Sequence, residues 1–167
     1  HWLHIPVLSH YTPGSSPYVF FTKAFRFAAP ICWESIFPGL VRTFVDNGAQ
    51  FIVNISNEAW FGKSAAPYHF LAMNVFRAVE NRRSVVRCAN TGISCIIDPR
   101  GQVVRRVRDG QGADTFGRGV LVGDVALSDT LTFYNRWGDW FIAFALALLL
   151  ILLVSFHLRR SRPNVDV

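Results

Sequence analysis

Charged residues are scarce in this chain: only 17% of its 167 residues are Asp, Glu, Lys or Arg, whereas 51% are apolar. This composition excludes intrinsic disorder, because disordered chains are rich in charge and poor in apolar residues. Lysine is nearly absent, since 15 of the 17 basic residues are arginine. Arginine favours fixed ion pairs and contacts with anionic groups over loose solvation.

Cysteine is also scarce, with Cys32, Cys88 and Cys95 forming no C-x-x-C pair and no group with histidine at metal-ligand spacing. Neither a disulfide scaffold nor a zinc site is therefore indicated, and we expect no metal and no cofactor. The sequence has neither an initiating Met nor a leader with a basic start and a cleavage site. We therefore expect a piece of a longer protein.

One long segment has no charge at all. Residues 140–156 read WFIAFALALLLILLVSF, and a span taken as 137–157 reaches the roughly 20 residues that cross the hydrocarbon core of a bilayer. The sequence predicts one transmembrane helix there. The alternative is a buried core helix, which seldom runs this long without a polar face.

The residues that flank this segment predict its orientation. Tyr134, Trp137 and Trp140 suit a membrane interface, and the Arg-rich tail 158–167 suits the cytoplasmic side. Residues 1–130 should then form an extracytoplasmic domain.

Hydrophobic patterns in that domain predict strands that alternate with helices, which indicates an α/β or α+β fold. Residues 1–27 are predicted as loop with short extended pieces. The predicted strands are 25–32, 51–55, 84–88, 93–97, 102–107 and 119–125, and the predicted helices are 35–47 and 68–81. Open sheets commonly place their chemistry at turns that follow strands.

Cys32 is the first candidate for chemistry, because it lies at a predicted corner between a strand and a helix. The N-terminus of that helix would stabilise a thiolate. The alternative is a small buried apolar residue, which is what we expect of Cys88 and Cys95 inside strands. Glu34 is suited to transfer a proton or orient a neighbour, although a carboxylate in a first helical turn also matches the helix dipole.

Short polar and aromatic residues follow the other predicted strands. Asn57 and Asn90 are either turn formers or lining residues of a cleft that faces Cys32. Trp33 and Trp60 lie in turns, which favours a role facing lipid or substrate.

Five segments together resemble the nitrilase, or carbon–nitrogen hydrolase, superfamily, and within it the apolipoprotein N-acyltransferases. They are AAPICWE at 28–34, NISNEAWFG at 54–62, RAVEN at 77–81, ANTGIS at 89–94 and IDPRG at 97–101. The resemblance implies part of an α-β-β-α sandwich on the outer face of a bacterial plasma membrane, followed by one C-terminal transmembrane helix.

The resemblance also implies an activity. Members of this family move an acyl chain from a phospholipid to the α-amino group of a diacylglyceryl-cysteine on a lipoprotein, in ping-pong fashion. Cys32 would be the nucleophile that forms a thioester, and Glu34 would support it. Trp33, Asn57, Trp60 and Asn90 would contact substrate, with Trp60 at the mouth of the lipid cleft.

One departure from the family pattern concerns the catalytic base. The superfamily needs a glutamate base and a lysine well upstream of the nucleophile. This sequence has no Asp or Glu before Cys32, and its only lysine there, Lys23, is nine residues away. We therefore expect the chain alone to be inactive, with the N-terminal half of the same protein as its missing partner.

Two other interpretations stay open. The domain is either a membrane-anchored amidase of the same superfamily or a non-catalytic relic that keeps the fold. Nucleic acid is not expected as a partner, because the arginines are spread over helices, a hairpin and the tail and form no single stripe.

Overall fold

The computed structural model describes residues 14–160. Predictions for residues 1–13 and for the tail beyond Arg160 lie outside the described residues. The elements are β1 (Val19–Phe21), β2 (Arg26–Ala28), a first 3₁₀ helix (Cys32–Ile36), α1 (Pro38–Asp46), β3 (Phe51–Ser56), a second 3₁₀ helix (Ala59–Phe61), α2 (Ala66–Asn81), β4 (Ser84–Ala89), β5 (Cys95–Ile97), β6 (Val103–Arg106), α3 (Phe133–Trp137) and α4 (Trp140–Arg160).

The six strands form one mixed sheet in the order β1-β2-β3-β4-β5-β6. The central strands β2, β3 and β4 are parallel, and the outer pairs are antiparallel. Because crossovers between parallel strands are right-handed and these two step in the same direction, α1 and α2 lie on the same face of the sheet. The expected α+β class is confirmed.

The core lies between this helical layer and the sheet. Val41 and Val45 of α1 and Leu71 of α2 pack with Ile52 and Val85 of the sheet. Spacings of three and four residues place these side chains on one face of each helix, as the sequence predicts.

Helix α1 begins at Pro38, three residues later than predicted, because proline disfavours helical geometry at the residue before it. Phe37 is accordingly extended, with φ −84° and ψ 106°, and proline starts the helix. The preceding turn, from Cys32 to Ile36, is a separate 3₁₀ helix. The predicted direct passage from Cys32 into an α-helix is therefore wrong.

The opposite face of the sheet carries apolar side chains without a second layer among residues 14–160. Phe20, Phe27 and Phe51 stack across three strands, with ring centroids 5.1 and 5.6 Å apart. Ile55 is 54% exposed, and Cys88, predicted to be in the core, is exposed beside it. Cys88 points away from the helices because alternate residues of a strand face opposite sides. The described domain is thus one helical layer on one sheet.

Strands β5 and β6 form the predicted hairpin around Asp98, whose carboxylate accepts hydrogen bonds from the N–H groups of Arg100 and Gln102. The strand predicted at 119–125 is wrong. Gly119 and Gly123 lie so close to the side chains of Val107 and Ile96 that an added Cβ would be 2.6 and 2.8 Å away. The segment therefore crosses over side chains and does not pair along an edge.

The chain returns to the amino end of the sheet before it reaches α4. Arg83, just before β4, is 1% exposed, and its guanidinium is buried. It donates hydrogen bonds to the carbonyl of Thr130 at 2.7 Å and to that of Ala49 at 2.8 Å. Buried Asn135 of α3 donates to Asn81 at 2.7 Å. These contacts fasten the segment that precedes α4 to the domain.

Helix α4 is long and apolar enough to cross a membrane over Trp140–His157, judged by length and composition. None of that stretch is buried against the rest of the described chain. The alternative of a buried core helix is therefore not supported.

Candidate active site

Three of the residues singled out from the sequence lie at the carboxyl ends of three neighbouring parallel strands. Cys32 follows β2, Asn57 follows β3 and Asn90 follows β4. The bridge between Ile31 and Ile55 extends the pairing up to Cys32. Parallel strands end at the same edge of a sheet, so their following turns meet there.

Cys32 has a backbone conformation that residues other than glycine rarely adopt, with φ at +51°. Such strain persists only where the surroundings hold it, and it is concentrated at functional sites. The half-buried thiol donates to the carbonyl of Asn57 at 3.8 Å and accepts from the Ser56 hydroxyl at 3.5 Å. The corner therefore presents the sulfur to the turn after β3.

Buried side-chain amides and a hydroxyl hydrogen-bond to the backbone around Cys32. Asn54 donates to the carbonyls of Pro30, at 3.1 Å, and Cys32, at 3.4 Å. Ser35 donates to the Cys32 carbonyl at 3.0 Å and accepts from Asn74 of α2 at 3.3 Å. These contacts fix the backbone that carries the thiol.

Glu34 is exposed, and its carboxylate accepts a hydrogen bond from the backbone N–H of Ile31 at 2.7 Å. This contact closes the turn around Cys32 from the outside. The geometry therefore gives Glu34 a supporting place beside the candidate nucleophile.

Asn57 and Asn90 are in direct contact, with the Asn90 amide donating to Asn57 Oδ1 at 2.7 Å. Asn90 Oδ1 also accepts from the backbone N–H groups of Glu58, at 2.9 Å, and Thr91, at 2.8 Å. Each is a turn-forming residue, and together they make a polar edge next to the thiol.

Aromatic side chains surround the other side of the corner. The Trp33 ring lies 5.3 Å from Phe70 and 6.4 Å from Phe61, measured between centroids, yet its side chain is 51% exposed. Trp60 projects further, at 83% exposed. A large exposed aromatic residue in a turn near the candidate nucleophile suits contact with an apolar ligand.

The model of the family described as carbon–nitrogen hydrolase matches residues 2–133, most of the chain. The chain belongs to the carbon–nitrogen hydrolase family. The resemblance inferred from the five sequence segments is thereby confirmed. Among residues 14–160 of this carbon–nitrogen hydrolase chain, no group of three His, Cys, Asp or Glu side chains could hold a metal ion.

Relatives with assigned names share a finer description. The apolipoprotein N-acyltransferase of Geobacter metallireducens is 44% identical over 134 residues, which cover 80% of this chain and 25% of the relative. Apolipoprotein N-acyltransferase 1 of Treponema pallidum is 37% identical over 153 residues, which cover 89% of this chain and 27% of the relative. The chain thus spans about a quarter of the length of these relatives, consistent with the expected piece of a longer protein.

Among solved structures, a mutant of the amidase from Nesterenkonia sp. AN1 matches with a TM-score of 0.53. The two chains are 18% identical, and the match covers 81% of this chain and 51% of the amidase. At this identity the likeness supports the fold alone.

Sequence reasoning missed one feature of this carbon–nitrogen hydrolase site, a buried ion pair between Glu58 and Arg87. Both side chains are buried, 0% and 2% exposed. Burial lowers the pKa of Arg87, and the Glu58 carboxylate opposes that effect. Alternation along β4 would have revealed Arg87, because it shares a face with the core residue Val85.

Cys95 is buried in the core of β5, as predicted. Burial raises the pKa of its thiol to about 11, and Arg87 works against this rise. Its thiol therefore stays protonated at neutral pH.

Proposed function

We propose that this chain forms part of an enzyme that N-acylates bacterial lipoproteins with acyl chains from phospholipids. The observation that carries the proposal is the strained, half-exposed Cys32 at the joined ends of three parallel strands, in a chain similar to several apolipoprotein N-acyltransferases. The exposed aromatic residues beside it and the long apolar helix α4 support a lipid substrate.

The first half-reaction transfers the acyl group to Cys32. The sulfur attacks the ester carbonyl carbon of the phospholipid, the bond to the glycerol oxygen breaks, and that oxygen takes up a proton as the lysophospholipid leaves. In the second half-reaction, the amine of the diacylglyceryl-cysteine attacks the thioester. The C–S bond then breaks, and the proton lost by the nitrogen returns to the thiol.

A base must take the proton of Cys32, and donors must stabilise the tetrahedral oxyanion. Glu34 is occupied by the Ile31 N–H, and Glu58 is fully buried against Arg87. No Asp or Glu precedes Cys32 in this sequence. We assign the base and the oxyanion lysine to a segment of the whole protein outside these 167 residues, so the chain alone should not turn over.

Substrate contacts follow from what surrounds the thiol. Trp60 and Trp33 are the side chains suited to the acyl chain, because both combine large apolar surface with exposure. The polar edge of Asn57 and Asn90 is suited to hydrogen-bond an ester or amide group.

The arrangement around the membrane completes the proposal. Residues 1–130 form an extracytoplasmic part of the domain, 137–157 cross the plasma membrane, and the basic tail 158–167 is cytoplasmic. Phe133, Trp137 and Trp140 form a ring cluster at the start of α4, which suits the membrane interface.

A transfer assay tests this function. The chain joined to its genomic upstream sequence is purified in detergent and given phospholipid with a labelled acyl chain and a diacylglyceryl-cysteine peptide. We expect labelled triacyl peptide from the joined protein and none from its Cys32→Ser variant or from the 167-residue chain. Release of free fatty acid or of ammonia from small amides, without peptide labelling, would instead favour the amidase, and inactivity in every assay would favour the relic.

A further inference from the structure

The Glu58–Arg87 ion pair lies directly beneath the site. Arg87 is opposite Asn54 in the register of β3 and β4, and Asn54 donates to the Cys32 carbonyl. The Arg87 guanidinium also donates to the carbonyl of Ile93 at 2.9 Å and lies 5.8 Å from the centre of the Phe70 ring. Arg87 therefore contacts the β3 turn, the β4 turn and α2.

The ion pair links the turn after β3 to strand β4, beneath the contacts that join the turns after β3 and β4 at the surface. At the surface, Asn90 bonds the side chain of Asn57 and the backbone of Glu58. Underneath, the Glu58 carboxylate reaches back to Arg87, with Gly92 lying against it. A Cβ at Gly92 would collide with that carboxylate, so the two turns approach more closely than any other residue there allows.

The ion pair is not arranged for stability alone. Within residues 14–160, Glu58 Oε2 and Arg87 Nε have no hydrogen-bond partner. Buried charges with unsatisfied atoms offset much of their own attraction through desolvation, so a hydrophobic pair in their place is often as stable. The ion pair does hold the turn after β3, which carries Glu58, at a fixed distance from strand β4.

We propose that Glu58 and Arg87 are positioning residues that set the placement, and hence the reactivity, of the Cys32 thiol. Asn57, the residue before Glu58, accepts the hydrogen bond of that thiol through its carbonyl. Releasing Glu58 frees this turn, and the sulfur loses the carbonyl and the Ser56 hydroxyl that cover it. The role in acyl transfer rests on the proposed function, whereas the effect on the thiol does not.

Alkylation of Cys32 tests the proposal without any acyl donor. The 167-residue chain in detergent micelles, with Cys88→Ser to remove the exposed thiol, is treated with iodoacetamide, and labelling is followed by peptide mass spectrometry. We expect Glu58→Gln and Arg87→Met each to raise the rate for Cys32 at least fivefold. Glu58→Asp, which keeps the charge, should stay within twofold of the parent.

A matched control distinguishes an effect on the placement of the Cys32 thiol from a general loss of core packing. Val41→Ala opens the core on α1, where Val41 is fully buried, and should lower the unfolding midpoint while leaving the alkylation rate within twofold. Gly92→Ala gives a second variant that keeps both charges and should also raise the rate. Rates in Glu58→Gln and Gly92→Ala at or below the parent value, or an equal rise in Val41→Ala, would overturn the proposal.

Discussion

Two buried arginines, one just before β4 and one within it, have different hydrogen-bond partners. Arg83, just before the strand, donates to backbone carbonyls and a hydroxyl, those of Ala49, Asn81, Arg82, Thr130 and Ser128. Arg87, within the strand, pairs with a single carboxylate and one carbonyl. Burial lowers the pKa of both guanidinium groups.

The difference distinguishes an amino end that holds the fold together from a carboxyl end that carries the proposed site. At the amino end, Arg83 satisfies carbonyls that the sheet and α2 leave free, and Asp129 accepts from Arg26 at 2.6 Å and Gln50 at 3.0 Å. At the carboxyl end, Cys32 is strained, the Glu58–Arg87 pair has unsatisfied atoms, and Trp60 is exposed. Strain and unsatisfied groups are tolerated where function needs them, and the rest of the fold compensates.

The largest effect should come from Arg83→Met, which leaves several buried carbonyls without donors. Each unsatisfied buried group costs about 1–3 kcal/mol, so we expect a loss of about 3 kcal/mol or more in the free energy of unfolding. Urea unfolding of the chain in detergent measures it, with exposed Arg82→Met as the matched control. Similar losses in both variants would remove the structural role given to the amino end.

A smaller loss should follow Asn135→Leu, which breaks the buried hydrogen bond from α3 to Asn81. We expect a loss of about 1–3 kcal/mol, because Asn81 Oδ1 then stays buried without its donor. Limited proteolysis should cut the segment before α4 sooner than in the parent. Unchanged stability and cleavage would show that α3 is not held to the domain by this contact.

Trp60→Ala should act on function and leave stability alone, the reverse of the amino-end variants. With 83% of the residue exposed, the unfolding free energy should change by less than about 0.5 kcal/mol. In the joined protein, the rate of Cys32 acylation by phospholipid should fall about tenfold, equivalent to about 1.4 kcal/mol of lost binding. An unaltered rate would contradict a lipid contact at Trp60.

The smallest expected effect concerns pH at the amino end. Burial raises the pKa of Glu80, although Arg77 opposes this rise. The folded state therefore favours protonated Glu80, and its contribution to stability falls as pH rises from the unfolded pKa through the folded one. Relative to the parent, Glu80→Gln should gain in unfolding midpoint between pH 4 and pH 7, and a relative loss over that range would contradict the assignment.

The sequence predicted the parts of the fold that depend on apolar periodicity. Both domain helices, the parallel strands and the hairpin at Asp98 are present, and the five sequence segments led to the right family. The sequence leaves Asn57 and Asn90 open as turn formers or as lining of a cleft that faces Cys32, and the structure places Asn57 against both Cys32 and Asn90.

The features that the sequence did not predict depend on contacts that the spacing of apolar residues does not reveal. Arg83 and Glu58 are buried against partners distant in sequence, Thr130 and Arg87, which no local pattern indicates. The 3₁₀ helix at Cys32 was not predicted, because the apolar spacing indicated an α-helix from residue 35. Pro38 delays the start of α1 to residue 38. Gly119 and Gly123 lie against side chains, so a β-like composition gave no strand there.

The most direct test of the account is intact-mass analysis for an acyl thioester on Cys32 after incubation with phospholipid in detergent. The proteins are the 167-residue chain, the chain joined to its upstream sequence, and Cys32→Ser in each. We predict a hydroxylamine-labile acyl adduct in the joined wild-type protein alone. An adduct on the 167-residue chain would contradict the assignment of the base and lysine to the missing segment, and no adduct on either form would contradict Cys32 as the acylated nucleophile.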